Sequence, residues 1–319
     1  MSLPPQDIAP PRAHQAGRPV DGIVLLDKPA GLSSNHALQR VRRTLSAAKA
    51  GHAGTLDPMA TGMLPLCFGQ ATKASGLLLG SSKAYRVRLR LGQATDTGDA
   101  HGKVIARAPL PPLDQTDVEH VLEGFEGARD QIPPMYSALK HHGERLYWLA
   151  RRGETVARPA RSIELRGLRL LGIAAESIEF DLECSKGTYV RVLGEEIAVQ
   201  LGSVGHLSEL RRLWVAPFQA DPMVSLEDVI AWRAGAPPVG SRPRWLLPVD
   251  RAFAGLPRLD LGAADSDSIR HGRPVQPALA MPEGSTVRAY DSAGGLLGLL
   301  RVGPDGYARV VRLLVDGAS

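Results

Sequence analysis

One carboxylate stands where chemistry is feasible. The stretch Gly54-Thr-Leu-Asp57-Pro-Met-Ala-Thr-Gly62 places Asp57 in a loop with three glycines in the twelve residues from Gly51 to Gly62. Glycines let the backbone turn sharply and come close to a ligand. A carboxylate so placed can act as a nucleophile or remove a proton. It can also do no more than close an Asx turn. Two further groups could join it. Tyr85 sits in Lys-Ala-Tyr-Arg at the start of a strand, and Arg191 ends Ser185-Lys-Gly-Thr-Tyr-Val-Arg191 at the start of a helix. Their plain readings are a core tyrosine and a solvated arginine. Asp96 and Asp99 are conceivable partner carboxylates for a glycoside hydrolase, which needs two acids at a defined separation. Nothing in the sequence fixes that separation.

The elements that must position these residues are partly visible. Gly22-Ile-Val-Leu-Leu26 reads as a buried strand ending in the turn Asp27-Lys28-Pro29. Ser33 or Ser34 can cap a helix whose apolar positions are Ala37, Leu38, Val41 and Leu45. From Lys83 to Gly92, Tyr85, Val87, Leu89 and Leu91 share one face while Arg86, Arg88 and Arg90 share the other. That alternation predicts a half-buried strand with a basic outer side. Thr116 with Glu119 makes a capping box for a helix carrying Val118, Val121, Leu122 and Phe125. A strand near 178–184 and a turn at Ser185-Lys-Gly187 precede a helix with Val190, Leu193, Ile197 and Leu201 inside. Strands and helices do not alternate in regular βαβ units, so the expected class is α+β with a mixed, largely antiparallel sheet flanked by helices. Residues 235–248 read as a linker. Beyond it, strand-like pieces at Ser285–Tyr290, Leu296–Val302 and Ala308–Leu314 predict a small C-terminal β-barrel.

Composition narrows the function classes. The chain has 319 residues, 44% hydrophobic and 22% charged, as in ordinary globular proteins. No apolar run reaches the roughly 18 residues that span a bilayer. The first 19 residues carry prolines and charges without an apolar stretch, so they read as a disordered leader, not a secretory signal, and the cytoplasm is expected. Cys67 and Cys184 are too few for a disulfide framework or a cysteine-rich zinc site, and both read as inert buried thiols. No metal is expected. A formal charge of +5 leans toward polyanions, and the cations are mainly arginine, with only seven lysines. Arginine pairs bidentately with phosphate and stacks on bases. No heptad pattern or long apolar edge demands a protein partner, so a monomer is expected.

Taken together, these motifs resemble the pseudouridine synthases, specifically the TruB family of bacterial tRNA pseudouridine-55 synthases. The likeness runs from Gly22 through the C-terminal segment. It includes Leu26-Asp-Lys-Pro29, Leu91-Gly-Gln-Ala-Thr-Asp-Thr-Gly-Asp99, Gln131-Ile-Pro-Pro-Met-Tyr-Ser-Ala-Leu-Lys140 and Leu207-Ser-Glu-Leu-Arg-Arg212. The resemblance implies the pseudouridine synthase fold over 20–250 and a PUA-like RNA-binding β-barrel over 251–319. It implies Asp57 as the catalytic aspartate, Tyr85 as the stacking residue and acceptor of the C5 proton, and Arg191 as the partner of the aspartate. Leu210 would wall the uracil, Tyr189 would line the pocket, Lys28 and Pro29 would support the loop, and His52 would lie against the opened RNA. An insertion at about 133–161 would form a thumb closing on the RNA, with Lys140, Arg145, Arg151 and Arg152 facing out and the basic run continuing through Arg158 and Arg161. Arg270 and Arg273 would contact RNA from the C-terminal module. The implied substrate is the T-stem-loop of tRNA, with no cofactor and no obligatory protein partner. Two relatives in function stay open: a guide-dependent synthase acting on ribosomal RNA, which typically carries a long basic tail, and a non-catalytic RNA-folding protein.

Overall fold

The computed structural model describes residues 17–238, 240–278 and 281–314. Order begins before Val20. Arg18, inside the expected disordered leader, bridges to Ala47, and its amide donates to the Ser46 carbonyl at 2.6 Å. The rest of that leader, residues 1–16, lies outside the described residues.

Along the chain come β1 (Gly22–Lys28), α1 (Ser34–Leu45), β2 (Ala50–His52), β3 (Thr61–Phe68), α2 (Ser75–Leu79) and β4 (Lys83–Leu91). A hairpin of β5 (Gln93–Thr95) and β6 (Val104–Arg107) follows, then α3 (Gln115–Glu123) and β7 (Gly127–Gln131). The next hairpin, β8 (Lys140–His141) and β9 (Glu144–Arg145), leads into α4 (Leu146–Arg151). Then come β10 (Arg161–Ala174), β11 (Ser177–Cys184), α5 (Val190–Gln200), β12 (Gly205–Val215), β13 (Val224–Ser225), α6 (Leu226–Ala234) and β14 (Leu246–Leu247). The last elements are β15 (Arg258–Asp260), α7 (Ala263–Arg270), β16 (Thr286–Tyr290), β17 (Leu296–Val302) and β18 (Ala308–Leu313).

The main sheet runs β13-β1-β3-β12-β4-β11-β10-β7, with β2 added to β3 and β14 to β1. Only β1–β13 and β3–β12 pair in parallel, so the sheet is mixed and largely antiparallel, as the sequence predicts. One face packs Val24, Leu64, Val87, Leu89, Phe180 and Leu182 against apolar positions of α1, α3, α5 and α6. At the β1–β3 end the opposite face packs Ile23, Leu25, Met63 and Cys67 on Phe218 and Phe253. Both cysteines are buried and free, and burial pushes each thiol up to about 11.

The remainder of that second face meets solvent, and here the basic side of β4 takes on a different meaning. Arg86 pairs with Asp181 at 2.9 Å, Arg88 with Glu179 and Glu209, and Arg90 with Glu176. Arg211 on β12 pairs with Asp27 at 2.7 Å. Cross-strand pairs of opposite charge stabilise a sheet surface, so this face is internally neutralised.

Two caps refine the expected helix starts. Ser33 caps α1, its hydroxyl accepting from the His36 amide, which frees Ser34 for another task. Asp114, not Thr116, caps α3, accepting from the Thr116 amide at 2.8 Å. Glu119 accepts from Gln115 instead of reaching back to a cap. The linker is also less loose than expected, since Leu246 and Leu247 pair with Val24 and Ile23 of β1. The C-terminal region forms a small mixed sheet, β15-β16-β17-β18, with its own core of Leu259, Ile269, Val287, Leu300 and Val302, consistent with a PUA-like module.

Candidate active site

Asp57 lies in the loop between β2 and β3, and α5 delivers Arg191 to it. The Arg191 Nε forms an ion pair with the Asp57 carboxylate at 2.9 Å. The guanidinium has no freedom left to drift. One Nη donates to the Thr97 carbonyl at 2.6 Å and the other to the Tyr136 carbonyl at 2.7 Å. The Arg191 side chain is buried, whereas that of Asp57 is about one-third exposed, at 34%. The Asp57 carboxylate is thus fixed on one side by a guanidinium and left reachable on the other.

The loop is held by several groups from beneath. Ser34, buried in the first turn of α1, accepts from the Leu56 amide at 2.8 Å and donates to the Leu56 carbonyl at 3.0 Å. Lys28, fully buried at the end of β1, donates to the carbonyls of Pro29 and Leu32 at 2.8 Å each and to that of Pro58 at 3.3 Å. Burial lowers the Lys28 ammonium to about 8, against the pull of Asp57, with Arg212 lowering it further. Lys28 thus ties the end of β1 to the loop at Pro58, with the Pro29 carbonyl among its acceptors.

Arg212 is the residue that sequence reasoning left without a role. It is 0% exposed. Its Nε donates to the Met63 carbonyl at 2.6 Å and its Nη2 to the Gly54 carbonyl at 3.0 Å. The guanidinium also reaches the Tyr85 hydroxyl, and Arg212 stands opposite Tyr85 in the β12–β4 register. Burial pushes the Tyr85 phenol up, while the Arg212 cation pulls the other way. The neighbouring Lys83 is lowered to about 8, first by burial and then by Arg212. Lys28, Lys83 and Arg212 thus form one buried cluster of cations. The signal was present in the pair Leu210-Arg-Arg212, because a basic residue on a buried strand needs fixed acceptors.

Leu210 is buried, and Tyr189 caps α5 half-buried. The buried Gln131 brackets Tyr189, accepting from its amide at 2.8 Å and donating to its carbonyl at 3.2 Å. Burial raises the Tyr189 phenol, with the charges of Arg161 and Arg191 pulling the other way. His52 sits on β2 with its Nδ1 buried and unpartnered, and burial lowers its pKa. The structure thus gathers Asp57, Arg191, Lys28, Arg212 and Tyr85 into one connected set.

The peripheral arginines fare differently. Lys140 and Arg145 pair across the β8–β9 hairpin and are exposed, as is Arg151 at the end of α4. Arg152 is already engaged, with Glu144 at 2.5 Å and Glu154 at 2.6 Å. Arg270 pairs with Asp291 at 2.9 Å and Arg273 with Asp267 at 3.0 Å. Among the described residues, no group of three His, Cys, Asp or Glu side chains is arranged to hold a metal ion. No helix there is long and apolar enough to cross a membrane.

Comparison with known proteins decides the family. The model of the TruB family pseudouridylate synthase N-terminal domain matches residues 42–190, the tRNA pseudouridylate synthase B C-terminal domain matches 191–254, and the pseudouridine synthase II TruB C-terminal model matches 257–314. A tRNA pseudouridine synthase B of Chromohalobacter salexigens is 49% identical over 94% of this chain and 96% of its own. The chain belongs to the TruB family of pseudouridine synthases. A second relative, from Aromatoleum aromaticum, is 47% identical over 96% of each chain. The family's members are isomerases, and so is this enzyme. The fold is shared more widely. A solved Cbf5-Nop10-Gar1 complex contains a chain with TM-score 0.70 at 24% identity, covering 92% of this chain and 85% of that one.

Proposed function

We propose that this TruB-family enzyme converts the uridine at position 55, in the T-loop of tRNA, to pseudouridine, with Asp57 as the catalytic carboxylate. Relatives named tRNA pseudouridine synthase B, similar over nearly their whole length, support tRNA as substrate. The single observation that carries the catalytic assignment is the Asp57–Arg191 ion pair at 2.9 Å, buried on the arginine side and open on the other.

The reaction breaks the N1–C1′ bond, turns the freed uracil and joins C5 to the same sugar carbon, releasing the C5 hydrogen. The C5 hydrogen lost to water is matched by a proton gained at N1, and every heavy atom of the product comes from the substrate, so the proposal needs no cofactor. The target base leaves its stack to reach Asp57, at a cost of a few kcal/mol. Asp57 then acts as nucleophile at C6 or C1′, or as the base that removes a sugar proton. Tyr85 stacks on the uracil and, once its own phenol proton has passed to solvent, takes the C5 proton on the resulting phenolate oxygen, whose negative charge the Arg212 cation offsets. Leu210 and the ring of Tyr189 exclude water, which would otherwise capture the sugar and turn isomerisation into hydrolysis. On this reading the enzyme works as a monomer in the cytoplasm without a guide RNA.

The test uses unmodified tRNA, and its isolated T-stem-loop, carrying tritium at uracil C5. The purified chain alone should release tritium to water and leave pseudouridine at one loop position in both RNAs. Asp57→Asn should bind RNA and fold as the parent does while turnover falls by at least three orders of magnitude. Turnover by that variant near the parental rate would overturn the assignment, and a requirement for an added RNA or protein would overturn the stand-alone reading.

A further inference from the structure

α4 carries a surface that the catalytic reading does not use. Leu146 and Leu149 are buried and anchor the helix, which turns Tyr147, Trp148 and Arg151 outward. Trp148 is 46% exposed. A large apolar ring left in water is informative chiefly when charged neighbours are arranged around it. Here they are. The Arg151 guanidinium lies 5.3 Å from the Trp148 ring centre and 5.8 Å from that of Tyr147, and Arg145 lies 6.0 Å from Tyr147 on its other flank. The two rings are 4.9 Å apart and tilted by 38°.

The local acids do not compete for these cations. Glu144 and Glu154 are both bound to Arg152, whose charge is thereby spent. Arg145 and Arg151 have no carboxylate within ion-pair distance among the described residues, and Lys140 pairs with Arg145 only through the hairpin backbone. The surface therefore joins a half-exposed indole, with Arg151 over its ring, to two or three positive charges that no acid claims. An indole stacks on any nucleobase, and the guanidinium beside it meets the attached phosphate.

We propose that Trp148 and Arg151 form a stacking site on the thumb for one unpaired nucleobase and its phosphate, separate from the uracil site at Asp57. The occupant is a single-stranded or loop nucleotide of the RNA substrate, since bases in a duplex present no free face to an exposed ring. This rests on the tRNA reading above and adds a second point of contact to it. Arg152 belongs to the scaffold that keeps Glu144 and Glu154 away from the site. The segment leading into the thumb is tied to the catalytic centre through the Tyr136 carbonyl, which accepts from Arg191 at 2.7 Å.

The experiment titrates unmodified tRNA into the full chain while tryptophan fluorescence and binding are followed together. Tryptophan occurs four times in the chain, and the other three are Trp214, Trp232 and Trp245. The parent should show quenching that saturates with RNA. Trp148→Ala should lose most of that quenching and bind about tenfold more weakly, within the range that loss of one stacked base produces. Trp148→Phe should lose the quenching yet keep most of the affinity, because a phenyl ring still stacks. Equal quenching and equal affinity in Trp148→Ala would overturn the proposal and leave the ring to some other partner, such as a protein. Equal weakening in the Phe and Ala variants would also overturn it, because shape rather than stacking would then be at issue. Tritium release from the same tRNA by the parent is scored in parallel. An inactive parent indicts the substrate, whereas an active parent with unchanged Trp148 variants indicts the stacking site.

Discussion

Arg212 meets three groups that no other side chain could serve at once: the Gly54 and Met63 carbonyls and the Tyr85 hydroxyl. Its charge is a burden, since a buried cation without a carboxylate is expensive. Yet leaving two buried carbonyls unpaired costs about 1–3 kcal/mol each, and with no solvent access that loss should prevail. Arg212→Met should therefore lower unfolding free energy by about 2–4 kcal/mol in urea titrations. Arg212→Lys should recover little of it, because a single ammonium cannot copy a planar fork. Full recovery by lysine would show that only the charge matters. The same crowding makes stability depend on pH. Lys28 and Lys83 fall from 10.5 to about 8 in the folded chain. Below about pH 8 both states hold these protons and the fold bears the cost of buried ammonium groups. Between the folded and unfolded values the unfolded chain binds protons that the folded one has shed, so stability rises with pH. Urea unfolding from about pH 7 to about pH 9, below the range where the two raised cysteine thiols act in the opposite sense, should show this rise, and Lys83→Met should remove about half of it. A parent whose stability is flat or falling through that window would contradict the lowered lysines.

At the level of elements, the thumb gives a sharp contrast between adjacent arginines. Arg151 stacks on aromatic rings with no acid beside it, while Arg152 is held by Glu144 and Glu154. Each phosphate neutralised contributes about 0.7–0.9 to the slope of log affinity against log salt. Arg151→Gln should reduce that slope for tRNA by about this amount, and Arg152→Gln should leave it unchanged. Equal slopes for the two variants would mean that the ion pairs open on RNA. Nothing in the pair Arg151-Arg152 distinguishes the two residues in sequence, because the acids that claim one of them act through a fold. The same limit explains which elements the sequence revealed. β4 and α5 were legible because each buries one face and so alternates with a clear period. β3 was not, because Gly62 to Phe68 are buried on both sides and no alternation survives. β10 has two register shifts against β11, which break its period. The candidate set was legible through motifs at Asp57, Tyr85 and Arg191. Ser34, Gln131 and Arg212 were not, since their partners are backbone atoms at 22, 58 and 158 residues' separation.

Over the whole molecule, the small C-terminal sheet is joined to the catalytic part through a shared core. Leu299 of β17 and Leu314 pack in one cluster with Ile23, Met63, Phe218 and Phe253. Lys73 donates to the Leu313 carbonyl at 2.9 Å, and Arg312 donates back to the Lys73 carbonyl at 3.1 Å. A contact of this kind should make the two parts unfold together, because exposing the sheet's seam also uncovers the face of β1 and β3. The chain contains its own reporter for this. All four tryptophans, at 148, 214, 232 and 245, precede β15; Trp214 packs on the shared cluster, so in a Trp214→Phe background the other three follow the catalytic part alone. Leu299→Ala removes buried methyl groups from the seam, a change that typically costs 2–5 kcal/mol. If the core is shared, the tryptophan transition should move to lower urea by that amount although the substitution lies in the other part. It should also coincide with the loss of strand signal in circular dichroism. A tryptophan transition that stays in place while the strand signal splits into two steps would mean that the sheet folds and unfolds by itself. Leu314, at the end of the same seam, would then be ornamental to the catalytic part, and residues from 257 onward could be removed without loosening the loop that carries Asp57.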